Sequence, residues 1–468
     1  MKWGERSVNR LFFVGIGGIG MSGLARYAVQ LGMDVAGYDK TPTALTDALA
    51  QEGISIAFAD NTVHFEGWLQ NGPLDSVGVV RTPAVPPDHP LFAKIKDLQL
   101  KVVKRSEMLG SIAENFETFA VAGTHGKTTT TAMLAHLLQN TPEGCNAFLG
   151  GVLSSSGSNV ALNPNSTRLV VEADEFDRSF LQLHPSHAVV TSMDPDHLDV
   201  YGDLAGFQAG FQAFSRQVKG MTVYESDVKF EGEGLRYGCA NSAAEADILD
   251  YAVCTPRIES GWLVADVKMR DEWFKAVRFP MPGIHNLKNA LAALCLADLA
   301  KANRQDCVQN IQGFRGIKRR FAYHIRSEQG IYIDDYAHHP NEINAVHEAI
   351  RLHHPGKAIT AIFQPHLYSR TRDHMAEFAA ALSSFDRILL LPIYPAREAP
   401  IPGIDSQSLF ENILNPSKHL VPIKQIFDNL KEHPPEVLLT IGAGDIDRCV
   451  NPLSDWLKED PKRFKQPE

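Results

Sequence analysis

The stretch "FAVAGTHGKTTTTAML", Phe119 to Leu134, decides the fold. An apolar run enters a glycine turn, and a helical pattern leaves it carrying a lysine and a row of threonines. A strand, a phosphate-binding loop and a helix have this layout. Val121 holds the place of the first glycine of GxxxxGK[ST], so the loop is contracted. The chemistry survives the contraction. Amides from Gly123 through Thr124, His125 and Gly126 to Lys127 can wrap phosphates, the Lys127 ammonium can neutralise β/γ charge, and the Thr128 hydroxyl can bind Mg²⁺. A glycine-threonine helix cap would leave the lysine unexplained.

A second glycine turn lies upstream in "LFFVGIGGIGMSGLA", where Gly15, Gly17 and Gly20 match GxGxxG after a strand pattern and Asp39 ends the next one. Glycines at a helix start let backbone amides approach a diphosphate, and the helix dipole favours its charge. The motif alone leaves two candidates, NAD and a nucleotide sugar. With the central loop assigned to a triphosphate, the first turn takes a different ligand.

Around these turns short apolar runs alternate with helical patterns: "DVAGYD", "DSVGVVRTPAV", "LKVVKRSEMLG", "TRLVVEADEFD", "HAVVTSMDPDHLD" and "HNLKNALAALCLADLA". That rhythm predicts βαβ units on parallel sheets, an α/β chain. Met221 to Phe279 predicts short strands and turns. Beyond "GIKRRF", four strand candidates, "IYIDDYAHHP", "AITAIFQPH", "RILLLPIYPA" and "VLLTIGAGDI", predict a further parallel sheet. The 468 residues suit about three domains at roughly 150 residues each. We place them at 1–108, a Rossmann-like domain, 109–316, a P-loop domain, and 317–468, a second Rossmann-like domain.

The formal net charge of -10 argues against nucleic acid or an anionic membrane as the main partner. The six cysteines are scattered without a CxxC pair, which suits reduced structural thiols. Lys2, Arg6 and Arg10 before an apolar run imitate a secretory signal, but Gly15, Gly17, Gly18 and Gly20 interrupt that run. No stretch reaches about 18 uninterrupted apolar residues. The expectation is a cytoplasmic protein without membrane insertion.

Carboxylates cluster after two strand patterns. "VVEADEFD" supplies Glu172, Asp174, Glu175 and Asp177, and "DPDHLDVYG" supplies Asp196, His197 and Asp199. Doubly wound sheets keep ligands at these strand ends, and Mg²⁺ needs few protein ligands when phosphates and water supply the rest. Glu172 and His197, nearest the strand ends, are the first choices; the other acids read as solvated or capping groups. His285, Asn286 and Asn289 open a helix and could serve as a cap alone. "DDYAHHPNEI" and "FQPHLYSRTRDH" bring Asp335, Tyr336, His338, His339, His366, Arg370 and Arg372 to what read as neighbouring strand ends. Arginine there suits a carboxylate.

Taken in order, "GIGGIGMSGLA", "GTHGKTTTT", "EADEFDRSF", "DPDHLDVYG", "HNLKNALAA", "GIKRRF", "DDYAHHP", "FQPHLYSRTRD" and "YPAREAPIPG" resemble the Mur ligases, ATP-dependent amide-forming enzymes of peptidoglycan precursor synthesis. The resemblance spans nearly the whole chain and explains the two glycine turns: one serves a UDP-sugar, the other ATP. It implies that the lactyl carboxylate of UDP-N-acetylmuramate attacks the γ-phosphate, and that the amine of L-alanine then attacks the acyl phosphate. Lys127, Glu172 and His197 would be catalytic, with Mg²⁺ on Thr128, Glu172 and His197. ATP would meet Gly123 to Thr129, Asn289, Arg320 and Asp335. The UDP-sugar would meet Gly15, Gly17, Gly18, Gly20, Met21, Ser22, Asp39, His125, His285 and Asn286. Tyr336, His338 and Arg370 would hold the amino acid.

Two features depart from the family pattern: Leu367 stands where some relatives carry a basic residue, and "RTPAVP" replaces a serine-rich turn. The competing readings are a ligase that recycles murein tripeptide, the other Mur ligases and folylpolyglutamate synthetase, which share the ATP loop but not "GIGGIGMSGLA", an NAD-dependent oxidoreductase and a non-catalytic nucleotide sensor. The last two leave Lys127 or the third-domain cluster without a task.

Overall fold

The computed structural model describes residues 2–3, 6–194, 198–229, 232–396 and 398–465. Two compact units divide the chain. The first comprises Met1–Cys254, Val267–Lys275 and Asn289–Phe314, and the second Thr255–Asp266, Ala276–Lys288 and Arg315–Glu468.

The first unit carries a five-stranded parallel sheet in the order Ser55–Ala57, Asp34–Tyr38, Arg10–Val14, Val77–Arg81, Lys101–Lys104. Its central strand is buried along its whole length, as a strand covered on both faces must be. The order reverses at Arg10–Val14, and the first glycine turn leaves that strand's carboxyl end. Arg10 ties the strand down from its other end. Its guanidinium donates to the carbonyls of Trp68 and Leu69, pairs with Asp34 at 3.0 Å and lies 4.3 Å from the Trp68 ring centre.

A second sheet in the same unit places Glu117–Ala122 between Arg168–Ala173 and His187–Val190, all parallel. Thr222–Glu225, Leu235–Ala240 and the first four residues of Tyr251–Glu259, Tyr251 to Cys254, continue it in that order. Helices Ile19–Gln30 and Arg105–Ala113 of the first sheet share one apolar core with the second, where Met21, Leu24 and Met108 cluster with Phe148, Phe180, Phe211 and Phe214. Asn159 adds a polar tie across them, donating to the Ile19 carbonyl and, at 3.0 Å, to the Ser22 hydroxyl. The expectation of short strands between Met221 and Phe279 needs correction for its later part: Tyr251–Glu259, Trp262–Met269 and Glu272–Phe279 run nine, eight and eight residues. The polar and charged residues within them read as turns. In the last strand they are the solvent-facing residues between buried Phe274, Val277 and Phe279.

The second unit holds a six-stranded sheet in the order Ala322–Arg326, Ile331–Asp335, Val437–Ile441, Ile359–Phe363, Arg387–Leu390, Lys418–Leu420. Ala322–Arg326 is antiparallel to its neighbour and the other pairs are parallel. Ile331–Asp335 and Ile359–Phe363, read from the sequence as neighbours, are separated by Val437–Ile441. That strand is fully buried and arrives late in the chain, so local pattern gives no warning of where it inserts. Among the described residues no helix is long and apolar enough to cross a membrane.

Replacing Arg10 by Met should orphan two buried carbonyls and cost on the order of 2 kcal/mol. The expected outcome is a lower denaturant midpoint for the first unit, followed through Trp68 fluorescence.

Candidate active site

The central loop is built as its sequence requires. Gly123 and Gly126 have φ of +131° and +82°, and Lys127–Gln139 forms the helix that follows. A Cβ on Gly126 would lie 2.3 Å from Asn289 Oδ1, which brings the expected ATP residue Asn289 directly against the loop. Thr124 donates to the Asp194 carbonyl at 2.7 Å, the His125 amide donates to Ser192 Oγ at 2.8 Å, and Thr191 donates to the His125 carbonyl. The strand His187–Val190 thus leads into residues that hold the loop open from one side. Thr128 and Thr129 sit largely buried in the first helical turn.

Lys127 turns back onto its own loop. Its ammonium donates to Gly123 O at 2.6 Å, Thr124 O at 3.3 Å and Glu175 Oε2 at 2.6 Å. Burial opposes its charge, but Glu175, Asp174 and Glu172 outweigh that and hold its pKa above the ordinary lysine value. Glu175, read from the sequence as a solvated or capping acid, is 2% exposed and forms this ion pair. No spacing rule links positions 127 and 175; the two meet because Arg168–Ala173 pairs with Glu117–Ala122 in register.

Glu172 packs against Gly150, where a Cβ would lie 1.8 Å from its Oε2. With Asp174 it borders a cavity of about 250 Å³ that is also lined by Gly18, Gly20, Met21 and Arg105. The first glycine turn and the acids that follow Arg168–Ala173 thus border one space. A lining with hard carboxylate oxygens fits Mg²⁺. Asp196 and His197 lie outside the described residues, and no group of three or more metal-binding side chains occurs among those described. Arg105, which the sequence reading missed, lies 3.7 Å from Asp174 and 2.9 Å from where a Gly20 Cβ would stand.

At the first turn, Gly15 has φ +89° and a Cβ there would meet Thr82 at 2.3 Å. The Gly17 amide donates to Asp39 Oδ2 at 2.8 Å, so Asp39 shapes the turn itself. Ser22 donates to the Ile19 carbonyl at 2.9 Å, and Met21 is buried in the core below.

In the second unit, Asp335 accepts the amides of Phe321 at 2.6 Å and Ala337 at 2.7 Å. Burial pushes its pKa up to about 6, against the pull of Arg320 and of these two amides. It therefore clamps the "GIKRRF" turn to the "DDYAHHP" turn. The Arg319 and Arg320 guanidinium carbons lie 5.3 and 5.2 Å from the Tyr336 ring centre. His338 and His366 have ring centres 6.3 Å apart, so the two polar clusters meet across the intervening strand. Arg370 forms no ion pair among the described residues, although His338, His366 and Glu398 all feel its charge. His285 is pushed down to about 4 by burial and by Arg320, against Glu342. Asn286 donates to the Pro282 carbonyl at 2.7 Å.

Three family models match the chain: the Mur ligase catalytic domain at residues 10–117, the Mur ligase middle domain at 121–297, and the Mur ligase glutamate ligase domain at 319–446. The chain belongs to the Mur ligase family. This Mur ligase is 44% identical over 454 residues to UDP-N-acetylmuramate–L-alanine ligase of Flavobacterium psychrophilum, covering 97% of this chain and 99% of the relative. The protein of that name from Christiangramia forsetii is 44% identical over 450 residues, covering 96% and 98%. Among solved structures, the UDP-N-acetylmuramate-alanine ligase of Thermotoga maritima superposes with a TM-score of 0.81 at 26% identity, covering 96% of this chain and 99% of that one. A murein peptide ligase from Psychrobacter arcticus shares the fold at 21% identity and a TM-score of 0.68, over 96% and 99% of the two chains. The expected α/β class and the family are thus borne out.

Gly126→Ala should force Asn289 and the loop apart. We expect at least about tenfold weaker ATP binding by calorimetry, with an unchanged circular dichroism spectrum.

Proposed function

We propose that this Mur ligase joins L-alanine to the lactyl carboxylate of UDP-N-acetylmuramate, consuming ATP and releasing UDP-N-acetylmuramoyl-L-alanine, ADP and phosphate. The observation that carries the reading is near-full-length identity of 44% to relatives named for this activity. The solved structure with the TM-score of 0.81 is named for the same activity, whereas the murein peptide ligase stands at 0.68.

The reading assigns tasks to the residues of each turn, within domains at 1–108, 109–316 and 317–468. The first glycine turn, with Gly15 to Ser22 and Asp39, takes the UDP-sugar, with help from His125, His285 and Asn286. The central loop, Gly123 to Thr129, takes ATP together with Asn289, Arg320 and Asp335. Bringing a carboxylate against a triphosphate requires positive charge at the meeting point. Lys127 supplies it by exchanging Glu175 and the loop carbonyls for phosphate oxygens. Thr128 and Glu172 are the described oxygen donors that would hold Mg²⁺, and His197 is proposed as their partner. When bound, Mg²⁺ neutralises phosphate charge. Tyr336, His338 and Arg370 form the amino-acid pocket, with Arg370 as the cation for its carboxylate. Such a reaction belongs in the cytoplasm, where ATP and the nucleotide sugar are made.

The test is phosphate release from ATP, Mg²⁺ and UDP-N-acetylmuramate with L-alanine, with murein tripeptide, or with no acceptor. Release should require both the sugar and L-alanine. Dependence on the tripeptide would instead move the chain to peptide recycling. Lys127→Ala should lower turnover at least about 10³-fold while leaving the thermal transition in place; near-normal turnover would remove the lysine from the chemistry.

A further inference from the structure

Two imidazoles in the proposed amino-acid site have their hydrogen-bonding character set by their surroundings. Among the described residues His338 Nδ1 has the Tyr336 carbonyl within hydrogen-bond distance at 3.0 Å, with Glu342 Oε2 farther off at 3.6 Å; both are acceptors. A carbonyl cannot donate, so Nδ1 carries the hydrogen, and Nε2 of the neutral ring has a free lone pair. His366 is the reverse case. Its Nδ1 is buried without a hydrogen-bond partner among the described residues. A buried N–H without an acceptor is costly, so the hydrogen belongs on Nε2, which is then a donor. The rings stand at 60° to one another, and Tyr394 stacks on His366 with centres 5.7 Å apart.

Both rings are kept neutral. Burial lowers the His338 pKa, aided by Arg370 and Arg320 and opposed by Glu342 and the Tyr336 carbonyl. Burial pushes His366 down to about 4, with His338 and Arg370 adding to it and Glu398 opposing. At neutral pH the pocket therefore offers one lone pair, one N–H and the cation of Arg370.

We propose that His338 Nε2 is the base that takes a proton from the attacking amine, while His366 Nε2–H binds the amino acid's carboxylate beside Arg370. The inference rests on the ligase reading above and extends it. Leu367 leaves Arg370 without a basic neighbour at position 367, and the His366 N–H supplies the second donor. The ammonium of the bound amino acid first loses one proton to solvent; as the freed lone pair forms the C–N bond, the nitrogen becomes cationic and acidic again. One N–H proton passes to His338 Nε2, the C–O bond to phosphate breaks, and its electron pair leaves with the phosphate. The imidazolium then returns its proton to phosphate or solvent.

The experiment separates acyl-phosphate formation from amide formation in the full chain. Hydroxylamine, a small nucleophile that needs no placed base, traps the acyl phosphate from ATP and UDP-N-acetylmuramate. In His338→Asn, trapping should match the wild type, while kcat with L-alanine falls about 10²-fold or more. The wild-type kcat should fall on the acid side, below the ordinary histidine value, as His338 gains its proton; the variant should lack that limb. His366→Phe should keep the limb and raise the KM for L-alanine. An unchanged kcat in His338→Asn, a retained acid limb, or a rise in KM alone would overturn the base assignment. An unchanged KM in His366→Phe would overturn the carboxylate contact. A wild type that traps the acyl phosphate but makes no amide from L-alanine would overturn the ligase reading instead.

Discussion

The largely covered ammonium of Lys127 is the constraint around which the first unit is organised. A lysine charge taken out of water must be met by oxygen, and here two loop carbonyls and Glu175 meet it. Meeting it requires the loop to curl through left-handed glycines, and it requires the strand that leads to Glu175 to lie beside the strand that leads to the loop. The same arrangement leaves the lysine poised. Its three donors are satisfied without nucleotide, so a phosphate must offer more than Glu175 does, which favours ligands carrying several charges over single anions.

The second unit solves a different problem with the same sheet geometry. Its turns converge around Asp335, whose two carboxylate oxygens bind backbone amides from both sides and lock the turns together. Once they are locked, Tyr336 presents its ring to Arg319 and Arg320, and His338 approaches His366. The cluster that results sets neutral imidazoles among charged groups, with Arg320, Arg370 and Glu342 all acting on His338.

Much of this was legible in the residues. The glycine turns, the lysine after the second of them and the strand-helix rhythm identify phosphate loops because each residue type has one physical reason to stand where it does. Glu175 was misjudged because "EADEFD" offers four acids on one short segment, and nothing local says which one turns inward. Arg105 gave no signal, since its cavity is closed by residues from positions 18 to 174. Ile331–Asp335 and Ile359–Phe363 were misread as neighbours because the strand between them, Val437–Ile441, comes from much later in the chain.

The sequence by itself determined the element types, the two phosphate turns, the family and the candidate chemistry, since these follow from local geometry and residue spacing. Only the tertiary structure decided which acid holds Lys127, which backbone groups Asp335 clamps, and which groups surround His338 and His366. Those depend on burial and on partners distant in the chain. A carboxylate or imidazole acquires its role from the water it loses and the atoms that replace it.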